Sequence, residues 1–133
     1  MNFKLIKRNK LKNCTAENTS MFSLSGQQKN AKVVNIVDGD TVDVVFKHNK
    51  KINKWRCRLY GIDTPETRTR DLEEKQKGLA AKEYTREQLE NKMITLNCRN
   101  FDAFGRLLVD IFSNDECFNV KLLELGYANE YKK

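Results

Sequence analysis

The 133-residue chain is the right size for one domain with a real core, at 39% hydrophobic and 32% charged residues. Its formal charge of +7 is unevenly spread: residues 1–32 hold seven Lys or Arg against one Glu, while the remaining 101 hold 18 basic and 17 acidic groups. The high pI thus describes a basic N-terminal arm, residues 1–31, more than a globular body, residues 32–133.

Taken in chain order, the arm (Lys4, Lys7, Arg8, Lys10, Lys12) opens like the start of a secretory signal. No apolar stretch follows, because residues 13–30 are mostly Asn, Ser, Thr, Gln and Lys. Nor is any apolar run long enough to cross a bilayer. The expectation is an intracellular, cytoplasmic protein with a solvated, poorly ordered tail. Weak contact of Phe3, Leu5, Ile6 and Leu11 with an anionic membrane surface is the alternative use of that tail. The four cysteines (Cys14, Cys57, Cys98, Cys117) form no Cys-x-x-Cys pair and give no zinc signal, so reduced thiols are expected.

Past the arm, short alternating runs predict strands at Lys32–Val37 and Thr41–Lys47, with the Asp38-Gly39 turn between them. His48–Lys51 is a polar hairpin connection to a third strand, Ile52–Tyr60. On that strand Trp55, Cys57 and Leu59 face one way, so Arg56, Arg58 and Tyr60 face the other and Arg58 stands outside the core. Thr64-Pro65-Glu66 reads as a helix or turn start, Thr67–Lys77 as a charged loop, and Gly78–Asn91 as a helix with Ala81, Tyr84, Thr85, Gln88 and Leu89 at helical spacing. Strands at Met93–Cys98 and Arg106–Phe112 and a short helix at Val120–Leu125, stopped by Gly126, complete the reading. Mainly β with helices, this order predicts a five-stranded OB-type barrel with one long helix and a short C-terminal one.

The chemistry-bearing residues cluster at strand ends. Asp38 and Asp40 flank a turn where the second strand begins, and Asp63 ends the third strand beside it. Such acid density is costly without a cation or a hydrogen-bonded partner. Oxygen ligands without His or Cys favour Ca²⁺ or Mg²⁺ over zinc. Glu66, three residues beyond Asp63, reads either as a helix-start acid behind a Thr64 cap or as a group within reach of a metal-bound water. Arg58 and Arg106 could grip one phosphate bidentately. Phe104 reads as core or rim, or as a surface on which a base lies. The set points to a metal-dependent phosphodiesterase.

Three blocks in this order resemble the staphylococcal nuclease-like (thermonuclease) family: Val37-Asp38-Gly39-Asp40-Thr41, Arg58 through Glu66, and Asp102-Ala103-Phe104-Gly105-Arg106. The likeness runs from about Val33 to Tyr127. It implies an OB-type barrel that cleaves DNA and RNA with one Ca²⁺ and leaves 3′-phosphate ends. By resemblance, Asp40, Asp63 and the Thr64 carbonyl are the calcium ligands, Asp38 is an acid of the outer shell, and Glu66 is the general base. Arg58 and Arg106 are the phosphate-clamping pair, and Phe104 lies at the substrate. Departures are Phe104 where the family often has Tyr, Ala103 where it has Lys, and a chain that ends a few residues after Tyr127. A monomer is expected, with the basic arm adding non-specific nucleic-acid contact. The competing reading is a non-catalytic nucleic-acid-binding module on the same barrel.

Overall fold

The computed structural model describes residues 10–131, so Lys4, Lys7, Arg8 and the apolar Phe3, Leu5 and Ile6 lie outside the described residues. The elements are β1 (Gln28–Asp38), β2 (Thr41–His48), β3 (Lys51–Leu59), β4 (Ile62–Asp63), α1 (Leu72–Leu89), β5 (Met93–Phe101), β6 (Leu107–Ser113), β7 (Glu116–Cys117), α2 (Phe118–Glu124) and β8 (Asn129–Glu130).

β1, β2 and β3 form an antiparallel meander. β1 also pairs with β5, β5 with β6, and β6 returns parallel to β3 through Cys57–Leu107, Arg58–Leu108 and Leu59–Val109. That last pairing closes a five-stranded barrel of OB type and leaves β1, β2, β3, β5 and β6 without a free edge. Alternation does the sorting. Val42, Val44 and Phe46 on β2, Cys57 and Leu59 on β3, and Leu107, Val109 and Ile111 on β6 are buried inside, as their parity requires. α2 plugs the barrel with Phe118 and Leu122. Its Asn119 is buried with all its polar atoms used: Oδ1 accepts from Ile111 N at 3.0 Å, and Nδ2 donates to the Val109 and Tyr60 carbonyls at 3.0 and 3.1 Å. The β2–β3 hairpin turns through Asn49 and Lys50, both at positive φ, as a two-residue hairpin of this handedness requires.

Several boundaries differ from expectation. β1 begins at Gln28, four residues earlier than Lys32, because the polar Gln28–Ala31 segment is held by backbone pairing to Ile94–Asn97 of β5. Leu24, assigned to the tail, is fully buried in the core. α1 begins at Leu72 inside the expected loop. Its first turns carry no apolar stripe; they are set by Asp71, whose side chain caps the Glu73 and Glu74 N–H groups at 3.1 and 3.2 Å. Thr64-Pro65-Glu66 starts no helix, so the reading of Glu66 as a capping-turn acid fails. The thiols are free, and Cys57 is buried as expected of a small apolar residue, its pKa pushed up by that burial. Among the described residues no helix is long and apolar enough to cross a membrane.

Candidate active site

One helix holds together the two loops that carry the acids. Gly39, between Asp38 and Asp40, sits so close to α1 that a Cβ there would lie 2.9 Å from Ala81 Cβ and 3.0 Å from Thr64 Cγ2. Thr85 of α1 donates its hydroxyl to the Gly39 carbonyl at 2.8 Å. Two turns before Thr85, Gly78 lies under the Pro65–Glu66 backbone, where a Cβ would come within 2.5 Å of the Pro65 carbonyl oxygen. Gly78, Ala81 and Thr85 thus form a smooth strip against which residues 38–41 and 63–66 both rest.

On this support Asp40 and Asp63 come together around Arg58. The Arg58 guanidinium places Nη1 3.1 Å from Asp40 Oδ2 and Nη2 3.0 Å from Asp63 Oδ1. Nη1 also donates to the Ile62 carbonyl at 2.9 Å. The Arg58 side chain is only 12% exposed, so the outward parity expected from sequence is right, but the group is held between carboxylates instead of standing free. Asp40 is nearly buried and fully engaged, accepting from Thr41 Oγ1 at 2.9 Å and from the Thr64 N–H at 3.1 Å. Asp63 is half exposed. Burial raises its pKa above the ordinary carboxylate value; Arg58 pulls it back, and the adjacent Asp40 carboxyl pushes it further up. Two acids this close repel, and a cation between or beside them relieves the repulsion.

The other residues stand around this centre. The Asp38 carboxylate accepts from Thr67 Oγ1 at 3.1 Å, which ties the first acid loop to the segment before α1. Glu66 is exposed and makes no ion pair or side-chain hydrogen bond with any described residue. Arg106 precedes β6 and continues the parallel register beside Arg56. It therefore shares the outer face with Arg58, one step along the neighbouring strand. Asp102 holds it: Oδ2 accepts from Arg106 Nε at 2.7 Å, and Oδ1 accepts from the Arg106 and Phe104 backbone N–H groups, each at 2.9 Å. Burial would raise the Asp102 pKa, but these donors outweigh it and hold the carboxyl below its usual range. Phe104 is 85% exposed, on the rim and not in the core, with the Arg106 guanidinium 5.6 Å from its ring centre.

Sequence reading missed four contributors. Asp102 lay inside a recognised block, yet only the folded turn shows that it orients Arg106. Gly78 and Thr85 carried no signal beyond helical spacing. β8 pairs Asn129 with Asp63 and Glu130 with Ile62, and Tyr131 N–H donates to the Gly61 carbonyl at 2.9 Å, so the C-terminal segment pins the strand that bears Asp63. The Tyr131 ring then lies 5.7 Å from the Arg58 guanidinium.

For a hard divalent ion the two adjacent carboxylates are donors of the right kind, and Thr64 is held beside them by its N–H, which donates to Asp40 Oδ2 at 3.1 Å. Among the described residues no three His, Cys, Asp or Glu side chains gather closely enough to enclose an ion. The remaining positions of such a site would fall to carbonyl oxygens, water or substrate.

The closed five-stranded barrel with its helices is an α+β fold of OB type, and comparison with known proteins gives its family. A family model described as staphylococcal nuclease homologue matches residues 56–133, more than half of the sequence, and the chain belongs to that family. A thermonuclease of Staphylococcus intermedius is 36% identical over 98 residues, covering 72% of this chain and 56% of the relative. A thermonuclease of Staphylococcus hyicus is 32% identical over 106 residues, 78% of this chain and 60% of the relative. An uncharacterized endonuclease of Haemophilus influenzae is 28% identical over 115 residues, 86% of this chain and 60% of that protein. The chain thus spans less than two thirds of the length of these curated relatives.

Proposed function

We propose that this protein is a Ca²⁺-dependent nuclease that hydrolyses phosphodiester bonds of DNA and RNA and leaves 3′-phosphate ends. The observation that carries the reading is the meeting of Asp40 and Asp63, 23 residues apart in the chain, on one guanidinium at the barrel rim. Asp40, Asp63 and the Thr64 carbonyl would hold the ion, which supplies Lewis-acid polarisation of a phosphoryl oxygen. Asp38 supports this centre through Thr67.

The chain's own groups carry the rest. Glu66, exposed and unpaired beside the acid loop, accepts a proton from the water that attacks phosphorus. A P–O bond forms to that water, the P–O5′ bond breaks, the departing 5′ oxygen takes a proton from solvent to become a hydroxyl, and the phosphate stays on the 3′ side. Arg106, pre-oriented by Asp102, and Arg58 face the non-bridging oxygens, where negative charge grows. Phe104 offers an exposed ring beside Arg106 for a base. The protein is expected to work as a monomer inside the cell.

Degradation of single-stranded DNA, with and without a Ca²⁺ chelator, tests the reading. Shortening only with free Ca²⁺, giving 3′-phosphate ends, is the expected result. A protein that retards the DNA in both conditions without shortening it is a binding module instead.

A further inference from the structure

The arginine of the site is the first member of a longer cationic row. On β3, Arg58, Arg56, Lys54 and Ile52 alternate with the buried or half-buried residues Leu59, Cys57, Trp55, so all four project from the outer face. Residues two apart on a strand repeat every ~6.6 Å, comparable to the spacing of successive phosphates in an extended polynucleotide. Register adds two more lysines. Val45 faces both Lys32 and Lys54, and Lys47 faces Ile52. Residues 28–59 hold eight Lys or Arg against three Asp, so Lys29 and Lys32, counted with the tail in the sequence, belong to a basic sheet.

Pairing alone does not single out this face, because Arg68, Arg70, Lys75, Lys82 and Lys92 also ion-pair with no described carboxylate; the alternating row on one strand does. Lys77, Arg86, Arg99, Arg106 and Lys121 each have a carboxylate partner. Lys32, Lys47 and Lys54 are exposed and ion-pair with no described carboxylate. The one described acid on the outer face of β1, β2 and β3 away from the site, Asp43, is 3% exposed and taken up by Arg56, at 2.9 Å to Nε and 3.2 Å to Nη2, with Asn35 at 3.1 Å. Asp43 thereby fixes Arg56 in the row, and neither Lys47 nor Lys54 forms an ion pair with it. Ile52, 67% exposed, adds an apolar surface at the far end.

We infer that the outer face of β2–β3 is a phosphate track. It carries a single nucleic-acid strand from the Arg58 site along Arg56, Lys54 and Lys47 toward the β2–β3 hairpin. The inference rests on the nuclease reading of the site, but the track binds backbone and not the scissile bond. OB-type barrels commonly use this face and its flanking loops for oligonucleotides, and the row is continuous with the proposed chemistry.

The test is the double variant Lys47→Ala/Lys54→Ala, checked for an unchanged thermal melt. Binding of a 12-residue oligo-dT is measured in chelator across a salt series, and cleavage of a dT trinucleotide is measured with Ca²⁺. The expected result is about tenfold weaker binding, with a salt slope shallower by ~0.7 per lysine removed and trinucleotide turnover within about twofold of the parent. An unchanged affinity and salt slope would overturn the track. So would loss of binding to phosphatidylserine vesicles with oligo-dT binding intact, which makes the face a membrane contact. If the parent binds oligo-dT through these lysines and cuts nothing, the track stands and the nuclease reading fails. If it cuts and the variant binds as the parent does, the track alone fails.

Discussion

The inside of the barrel and its rim at Asp40 solve opposite problems with the same strands. Inside, Leu59, Leu96, Leu107, Ile111 and Leu122 are excluded from water and held by contact with many neighbours, so the arrangement is over-determined. At the rim, each group is fixed by one to three named partners: Asp40 by Thr41, Thr64 and Arg58, Arg58 by Asp40, Asp63 and Ile62, Arg106 by Asp102. α1 links the two regimes through Gly78, which packs on the Pro65–Glu66 backbone, and Ala81, whose methyl group meets Gly39. Changes inside are therefore expected to act on stability and leave the site alone. Changes at exposed rim groups such as Glu66 are expected to act on turnover and leave stability alone, and changes along α1 are expected to do both.

The largest separation is expected for Glu66→Ala. With no partner to lose, it leaves the thermal midpoint unchanged while turnover falls roughly 10²–10⁴-fold and nucleotide affinity holds. Loss of binding with intact turnover per bound complex contradicts the assigned role. Leu122→Ala is the opposite case, costing about 2–5 kcal/mol in denaturant melts, with activity per folded molecule preserved. Gly78→Ala joins the two, because its new methyl group must move the Pro65–Glu66 backbone; a loss of roughly 1–3 kcal/mol together with reduced turnover is expected. A stability loss with full activity would show that α1 does not position the acid loop.

The smallest effect concerns Asp43 and is a pH effect. Its hydrogen bond to Arg56 lowers the carboxyl pKa, against burial, and Asn35 adds to the lowering. A depressed folded-state pKa contributes stability above the ordinary carboxylate value of 3.8 and loses it as pH falls through the folded value. The gap in urea midpoint between the parent and Arg56→Gln is therefore expected to be full at neutral pH and to close in the acid range below about pH 4. A gap that persists unchanged into acid would assign the loss to packing of the Arg56 stem.

How much of this was legible in the sequence follows the same division. Period-2 alternation on β2, β3 and β6 is a property of local sequence, so strands, core face and the outward parity of Arg58 could be read directly. The polar start of α1 could not, because a cap and charges rather than an apolar stripe stabilise its first turns; Glu73 and Lys77 pair at 3.5 Å across one turn. β1 was cut short for a similar reason, as Gln28–Asn30 is held by ladder bonds that leave no mark on hydropathy. At the site, acids and arginines were recognisable by type and order. What escaped was which group restrains which. Asp102 on Arg106, Thr67 on Asp38 and β8 on Asp63 are tertiary pairings that residue type does not encode.

Calorimetric titration of Ca²⁺ into the parent protein and into Asp63→Asn tests the account most directly, since the whole site reading depends on both carboxylates serving one ion. One binding site per chain in the parent, abolished or severely weakened in Asp63→Asn, is the expected outcome. Equal Ca²⁺ binding by the two proteins would contradict it.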